Sequence, residues 1–178
     1  MLFLKQICLA AIFFISSNQH LISATAFDQH TAMSSNGETI AVWNFYDTLG
    51  FDIKAAFLSP NGSWTVPTSL DYSNIIKSRP VVDINNLNHA IVLWAELDPI
   101  SEFNLLFMKT YNGTSWDLST TQISATNENV FNDYQVEISD NDWVVITWSS
   151  FTGEFNNNLV QSIYGTFGSL NTPVIISF

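Results

Sequence analysis

The chain has 178 residues and carries 16 Asp and Glu against 5 Lys and Arg, a net charge of −11 near neutral pH. That balance repels phosphate backbones and anionic lipid, because binding to either depends on Lys and Arg neutralising a negative surface, so nucleic acid is excluded as a partner. With 47% hydrophobic residues, 14 Phe and 6 Trp there is apolar material for one packed domain, and the single cysteine, Cys8, excludes an internal disulfide.

Residues 1–26 have the three parts of an export signal: Lys5, an apolar run from Ile7 to Ile15, and the small-residue site Ala24-Thr25-Ala26. The run is well short of the about 20 apolar residues that span a bilayer, so no membrane insertion is expected. Gln6 and Ile7 are not the small residues that precede a lipidated cysteine. The sequence therefore predicts a mature protein beginning at Phe27, secreted or periplasmic. Loss of Cys8 with the leader leaves no thiol for a metal site or for catalysis.

From residue 30 onward the chain repeats itself. "TIAVW" ends at Trp43, "AIVLW" at Trp94 and "VVITW" at Trp148, at spacings of 51 and 54 residues. A second landmark follows the same period: "NGSW" at Trp64, "NGTSW" at Trp116, and Leu170 where a third tryptophan would stand. Two landmarks with one period define a repeat. Eleven residues before each first landmark lie Ala32, Asp83 and Glu137, each in a short alternating strand that runs into a polar turn. After it come an acidic loop, a strand ("DIKAAFL", "NLLFMKTY", "NLVQSIYGTF"), a turn and a last strand, with Pro67 and Pro173 where an edge strand tolerates a missing N–H. Period-2 alternation, β-branched and aromatic enrichment, and Asn, Asp and Gly between the runs favour strands, and no amphipathic helix is found.

The predicted fold is all-β, with three four-stranded antiparallel propeller-like blades at about 30–78, 79–132 and 133–178 within a repeat domain of residues 27–178. The pattern V-x-[DE] followed by Ala-x-x-x-Trp and then Asn-Gly-x-Trp-x-x-Pro resembles blades of secreted bacterial β-propellers of the sialidase-like kind. "SPNGSW" and "TYNGTSW" are similar to the Asp-box turn of those blades, without its Asp and with altered spacing. The resemblance implies a propeller but does not bring sialidase activity with it, since those enzymes hold a substrate carboxylate with several arginines and Arg79 is the only one here. Propellers typically have about four to eight blades, so three leave outer faces to be covered. Two copies completing a six-bladed ring, an open arc, or a piece of a longer gene would each account for that. Symmetric closure is the common solution, and a homo-oligomer is expected.

Trp43, Trp94 and Trp148 end apolar strands and are expected to pack between blades. Trp64 and Trp116, beside their turns, read as clamps on the outer corner, with stacking on a sugar ring as the alternative. Trp143 occupies the slot filled by His89 and Thr39 in the other units and reads as a surface residue. The loops after the first landmark hold Asp47 and Asp52, then Asp98 and Glu102, then Glu154, and equivalent loops gather at one end of a propeller. No dense ligand series of the calcium type occurs among them, so no metal or other cofactor is expected. His30 and His89 lie in no recognisable catalytic or metal motif, and no catalytic residue is assigned. The expected role is non-catalytic binding of a glycan or another cell-surface ligand, through ring stacking on Trp143, Tyr46 or Phe151 and hydrogen bonding by Asp47, Asp98, Glu102 and Glu154. A glycoside hydrolase active only in an assembled ring is the alternative, as is a structural fragment without activity of its own.

Overall fold

A computed structural model describes residues 24–152 and 158–176, and the regular structure there is entirely β. β1 (Thr25–Met33), β2 (Thr39–Asp47), β3 (Gly50–Leu58) and β4 (Thr68–Ser73) form the first sheet in chain order. β5 (Lys77–Ile84), β6 (His89–Leu97), β7 (Asn104–Asn112) and β8 (Thr121–Gln122) form the second. In the third, β9 (Glu128–Val130) and β10 (Gln135–Ile138) share the inner position beside β11 (Trp143–Thr152), and β13 (Ser169–Leu170) and β14 (Val174–Ile176) share the outer position beside β12 (Asn158–Thr166). Every pairing is antiparallel, as short polar connections between consecutive strands require. The expected boundary at 79 falls inside β5, and that at 133 lies between β9 and β10.

The turns follow from sequence. Asn61-Gly62 and Asn112-Gly113 place glycine at φ 87° and 84°, and Asn61 and Asn112 each accept backbone N–H bonds from the residues two positions on. Beyond the turn, Trp64 pairs with Leu58 and Trp116 with Tyr111, and the outer strand then breaks before resuming. Pro67 and Pro173 sit in two of these breaks, where no ladder donor is needed.

Two hydrophobic clusters hold the blades face to face. Ile40, Val42, Ile53 and Leu70 of the first blade meet Val82, Val92 and Trp94 of the second. The other face of the second blade, with Ile91, Leu93 and Leu106, meets Val144, Ile146 and Trp148 of the third. This is why "AIVLWA" reads as an unbroken apolar run: β6 is buried on both faces from Ala90 to Glu96. β11, covered on one face only, alternates between buried and exposed residues over its first half.

The landmark tryptophan of each blade faces the blade before it. Trp94 and Trp148 are accordingly buried, at 0% and 2% exposure. Trp43, expected to pack between blades like the others, lies on the open face of the first sheet opposite Ile40 and Val42 and is only half-buried. Trp116 is a clamp, packing at a tilt against Tyr111 at 5.2 Å and reaching Phe57 of the preceding blade at 6.1 Å. Leu170 packs against the second cluster from the same slot in the third blade.

The inner strands are joined across the axis by side chains on backbone groups. The Val82 N–H donates to His30 Nδ1 at 3.3 Å, and the Ile138 N–H to Asp83 Oδ2 at 2.8 Å. Each inner strand is interrupted, after Phe27, after Ser78, and over residues 131–134. The third interruption delivers Tyr134, fully buried, into the second blade, where its hydroxyl accepts from the Ala95 N–H and lies 2.8 and 2.7 Å from the Ser78 and Arg79 carbonyls. Burial raises its pKa well above the usual phenol range, so it serves there as a neutral donor.

Candidate functional site

The blades present two ends, and the candidate residues are divided between them. Trp143 opens β11 at the end where the tight turns Ser34–Glu38, Asn85–His89 and Ser139–Trp143 lie. Tyr46, Asp47, Asp98, Glu102 and Phe151 lie at the other end, and Glu154 falls outside the described residues. Trp143 and Phe151 stand on one strand, on the order of 25 Å apart at about 3.3 Å per residue. The structure therefore does not bring these residues into one site, because the loops that follow the landmark tryptophans cap the end of each strand opposite to the one where Trp143 begins.

At that loop end the carboxylates are occupied with their own turns. Asp47 Oδ1 accepts from the Leu49 and Gly50 N–H groups at 2.8 and 3.1 Å and from the Tyr72 hydroxyl at 3.1 Å. Asp98 Oδ2 accepts from the Ser101 hydroxyl at 2.6 Å and its N–H at 2.9 Å. The Leu49 N–H in the one case and the Ser101 hydroxyl in the other hold each carboxyl below its ordinary pKa. Glu102 is exposed at φ 59°, in the same turn. Phe151 packs with Phe131 and Phe103 at 5.5 and 6.3 Å, and Tyr46 lies 4.8 Å from Phe51. These aromatics are explained by contact with one another.

At the turn end the three turns form a polar ladder. In each, the first residue's N–H donates to the carbonyl of the fifth, and the fourth takes a left-handed φ: Gly37 at 88°, Asn88 at 62° and Asp142 at 63°. This register makes Trp143 the counterpart of His89 and Glu38, rather than of Thr39 as the strand pattern suggested. Asn86 bridges all three turns. Its amide nitrogen donates to Asp140 Oδ2 at 2.7 Å, its side-chain oxygen accepts from the Ser35 hydroxyl at 2.8 Å, and the Asn36 N–H donates to it at 3.0 Å. His89 pairs with Asp142 at 2.8 Å and stacks on Phe167 at 4.4 Å.

Below this ladder runs a groove of about 550 Å³, along the inner strands of all three blades and onto the open face of the third. His30 and Met33 line it from β1, Asp83 from β5, Glu137 from β10, and Trp143 and Val145 from β11. Of the expected ligand-contacting residues only Trp143 belongs to it. Among the described residues its indole has no ring neighbour comparable to Phe167 on His89, and it is 58% exposed. Partial shielding of the His30 ring, and then the charge of Arg79, lower its pKa against the opposing effect of Asp83, so near neutral pH it is an uncharged imidazole. Asp83 spends both oxygens on backbone, Oδ1 on the Ile84 N–H and Oδ2 on the Ile138 N–H. Among the described residues no group of three His, Cys, Asp or Glu is placed to hold a metal ion. The groove thus offers an aromatic plane, a neutral imidazole and fixed acceptors. Sequence reasoning used Asp83 and Glu137 only as repeat markers; a carboxylate in two copies where the first has Ala32 was the signal that they face something other than core.

No family model matches the sequence, and no curated protein matches it. The fold is similar to a solved structure, the endo-arabinase from Bacteroides thetaiotaomicron VPI-5482, at a TM-score of 0.50 and 10% identity, over 93% of this chain and 66% of that one. The chain spans just under two thirds of the length of that enzyme. At this identity the likeness concerns the fold alone, and with the sheet order above it makes the described residues three four-stranded blades of an incomplete propeller.

Proposed function

We propose that this protein is exported and binds carbohydrate without cleaving it, at the groove where the three inner strands meet. The observation that carries the reading is Trp143: a large, exposed indole lining the same groove as the carboxylate of Glu137 and the imidazole of His30. A sugar presents one apolar ring face and a rim of hydroxyls, and an aromatic plane flanked by acceptors matches both. The fold of an endo-arabinase is consistent with a saccharide ligand and makes arabinan the first to try. The hydrolytic alternative draws on the same neighbour. Against it, Asp83 is tied to two backbone N–H groups, which suits an orienting acceptor rather than a proton carrier, and Asp98 is held in its own turn at the far end.

Affinity electrophoresis of residues 27–178 through gels containing arabinan, xylan or mannan tests this reading, with reducing-end release measured in parallel. Retardation by at least one of them, lost in Trp143→Ala and unaccompanied by new reducing ends, is the expected result. Retardation unchanged in Trp143→Ala would remove the groove from the reading, and release of reducing ends would replace binding with hydrolysis.

A further inference from the structure

Comparison of the two sheet faces that point away from the first blade singles out the third. On the second blade that face carries Val81, Ile91, Leu93, Ala95, Leu106 and Met108, and the third blade covers it. The strand registers place Gln135, Val145, Thr147, Ser149, Val160 and Ser162 at the same positions one blade later. Four of the six have become polar, so this face lacks the continuous apolar surface that the second blade presents to the third.

It is nevertheless not a bland surface. Trp143 is followed two residues on by Val145, whose partner across the ladder is Tyr164, so Trp143 and Tyr164 lie diagonally on one face. Diagonal neighbours in an antiparallel pair are about 7–8 Å apart at Cα, within reach of one another for aromatic side chains. Both are exposed, at 58% and 50%, and Val145 between them at 48%. A second, smaller groove of about 270 Å³ runs along Gln135, Glu137, Val145 and Thr147 and shares Glu137 and Val145 with the axial one. The position of Tyr164 is Thr110 on the second blade, so the aromatic is peculiar to the face that is left open.

Resting on the carbohydrate reading of the axial groove, we infer that the outer face of the third blade is an extension of that site, and that its ligand is an extended, uncharged polysaccharide chain lying across Trp143 and Tyr164. The charge distribution selects the ligand class. Every cation among the described residues, Lys54, Lys77, Arg79 and Lys109, belongs to the first two blades, whereas Glu137 stands on this face. An acidic polysaccharide would meet repulsion with no compensating guanidinium or ammonium. A neutral chain stacks on the two rings and hydrogen-bonds to Gln135, Thr147 and Glu137.

The test is the affinity of residues 27–178 for arabino-oligosaccharides of increasing length, by calorimetry, together with gels containing arabinan, mannan or the anionic polygalacturonate. Tyr164→Ala removes only the extension, and Tyr46→Ala at the opposite end is the control. Affinity should rise with chain length, and Tyr164→Ala should cut it about two- to tenfold for long chains and little for short ones, in line with about 0.5–1.5 kcal/mol per aromatic contact. Tyr46→Ala should bind like the parent, and polygalacturonate should not retard the protein. Binding that depends on Trp143 but ignores Tyr164 and chain length would overturn the extension and leave the axial site standing. Failure of all neutral polysaccharides to bind would overturn both, and retardation by polygalacturonate would refute the ligand class.

Discussion

Replacing Lys77 with methionine probes the joint between the first two blades. Lys77 is a fully buried ammonium whose Nζ donates to Glu96 Oε1 at 2.7 Å, Ser73 Oγ at 3.0 Å and Asp71 Oδ2 at 3.1 Å, and the Trp94 indole donates to the same Glu96 oxygen at 2.7 Å. Methionine keeps most of the length and the apolar stem but removes the charge. Breaking a buried pair from one side costs about 3–5 kcal/mol, because the remaining charge is left without a partner. The Glu96 side chain is 9% exposed and retains the Trp94 indole and its bond to Asp71, whereas Asp71, 27% exposed, regains water, which places the expected loss near the lower figure, about 3 kcal/mol. The loss should depend on pH. Burial, and then the neighbouring Asp71, raise the pKa of Glu96; Asp71 is pushed up by burial too, but its bond to Glu96 and the charge of Lys77 bring it below its ordinary value. A raised carboxyl adds stability below its unfolded pKa that is lost as pH rises through the folded one, and a depressed carboxyl adds stability above its unfolded pKa that is lost as pH falls through the folded one. The two oppose each other in the parent. Without Lys77 the depression of Asp71 weakens, leaving its bond to Glu96, and Glu96 is raised further, so the deficit should be largest near pH 8 and shrink toward pH 5. Urea unfolding followed by tryptophan fluorescence at several pH values measures this. A deficit under about 1 kcal/mol, or one that is flat between those limits, would refute the idea that a desolvated ion network ties these blades together.

Tyr134→Phe should cost about 1–3 kcal/mol, since it strips the Ala95 N–H of its acceptor and removes the one hydroxyl proton that the Ser78 and Arg79 carbonyls share. Faster hydrogen exchange at the Ala95 amide is the accompanying sign, and unchanged exchange would mean that the hydroxyl does not stitch the second and third blades. Gly165→Ala should lower the melting temperature, because a Cβ there would stand 2.4 Å from the Ser169 carbonyl oxygen across the β12–β13 hairpin, an overpacking worth about 1–3 kcal/mol. An unchanged melting curve would show that this hairpin yields freely.

Much of the architecture was legible because a repeated strand pattern has few solutions. The spacing of Trp43, Trp94 and Trp148, the Asn-Gly turns and the two period-2 runs around them fall on β2, β6 and β11 and their neighbours as the repeat requires. The site was harder to read. Asp47, Asp98 and Trp143 looked alike as polar or aromatic residues near strand ends, yet two are consumed by their own turns and the third opens onto a groove. The slot of Trp143 was misjudged by one residue, Thr39 for Glu38, since alternation locates a strand without saying where its turn closes; the hydrogen bond from the Ser34 N–H to the Glu38 carbonyl decides that.

What the sequence by itself determined is the unit: strand type, number, order and period are local consequences of side-chain alternation and turn chemistry, and any chain with this pattern must bury these strands against one another. Which face of each unit is covered, and so which aromatics are core and which are free, was decided only by the tertiary structure. Identical slots acquire different environments when blades stack in one direction: Trp94 and Trp148 each have a blade in front of them, Trp43 stands half-buried on the open face of the first blade, and Trp143 and Tyr164 stand on the open face of the last.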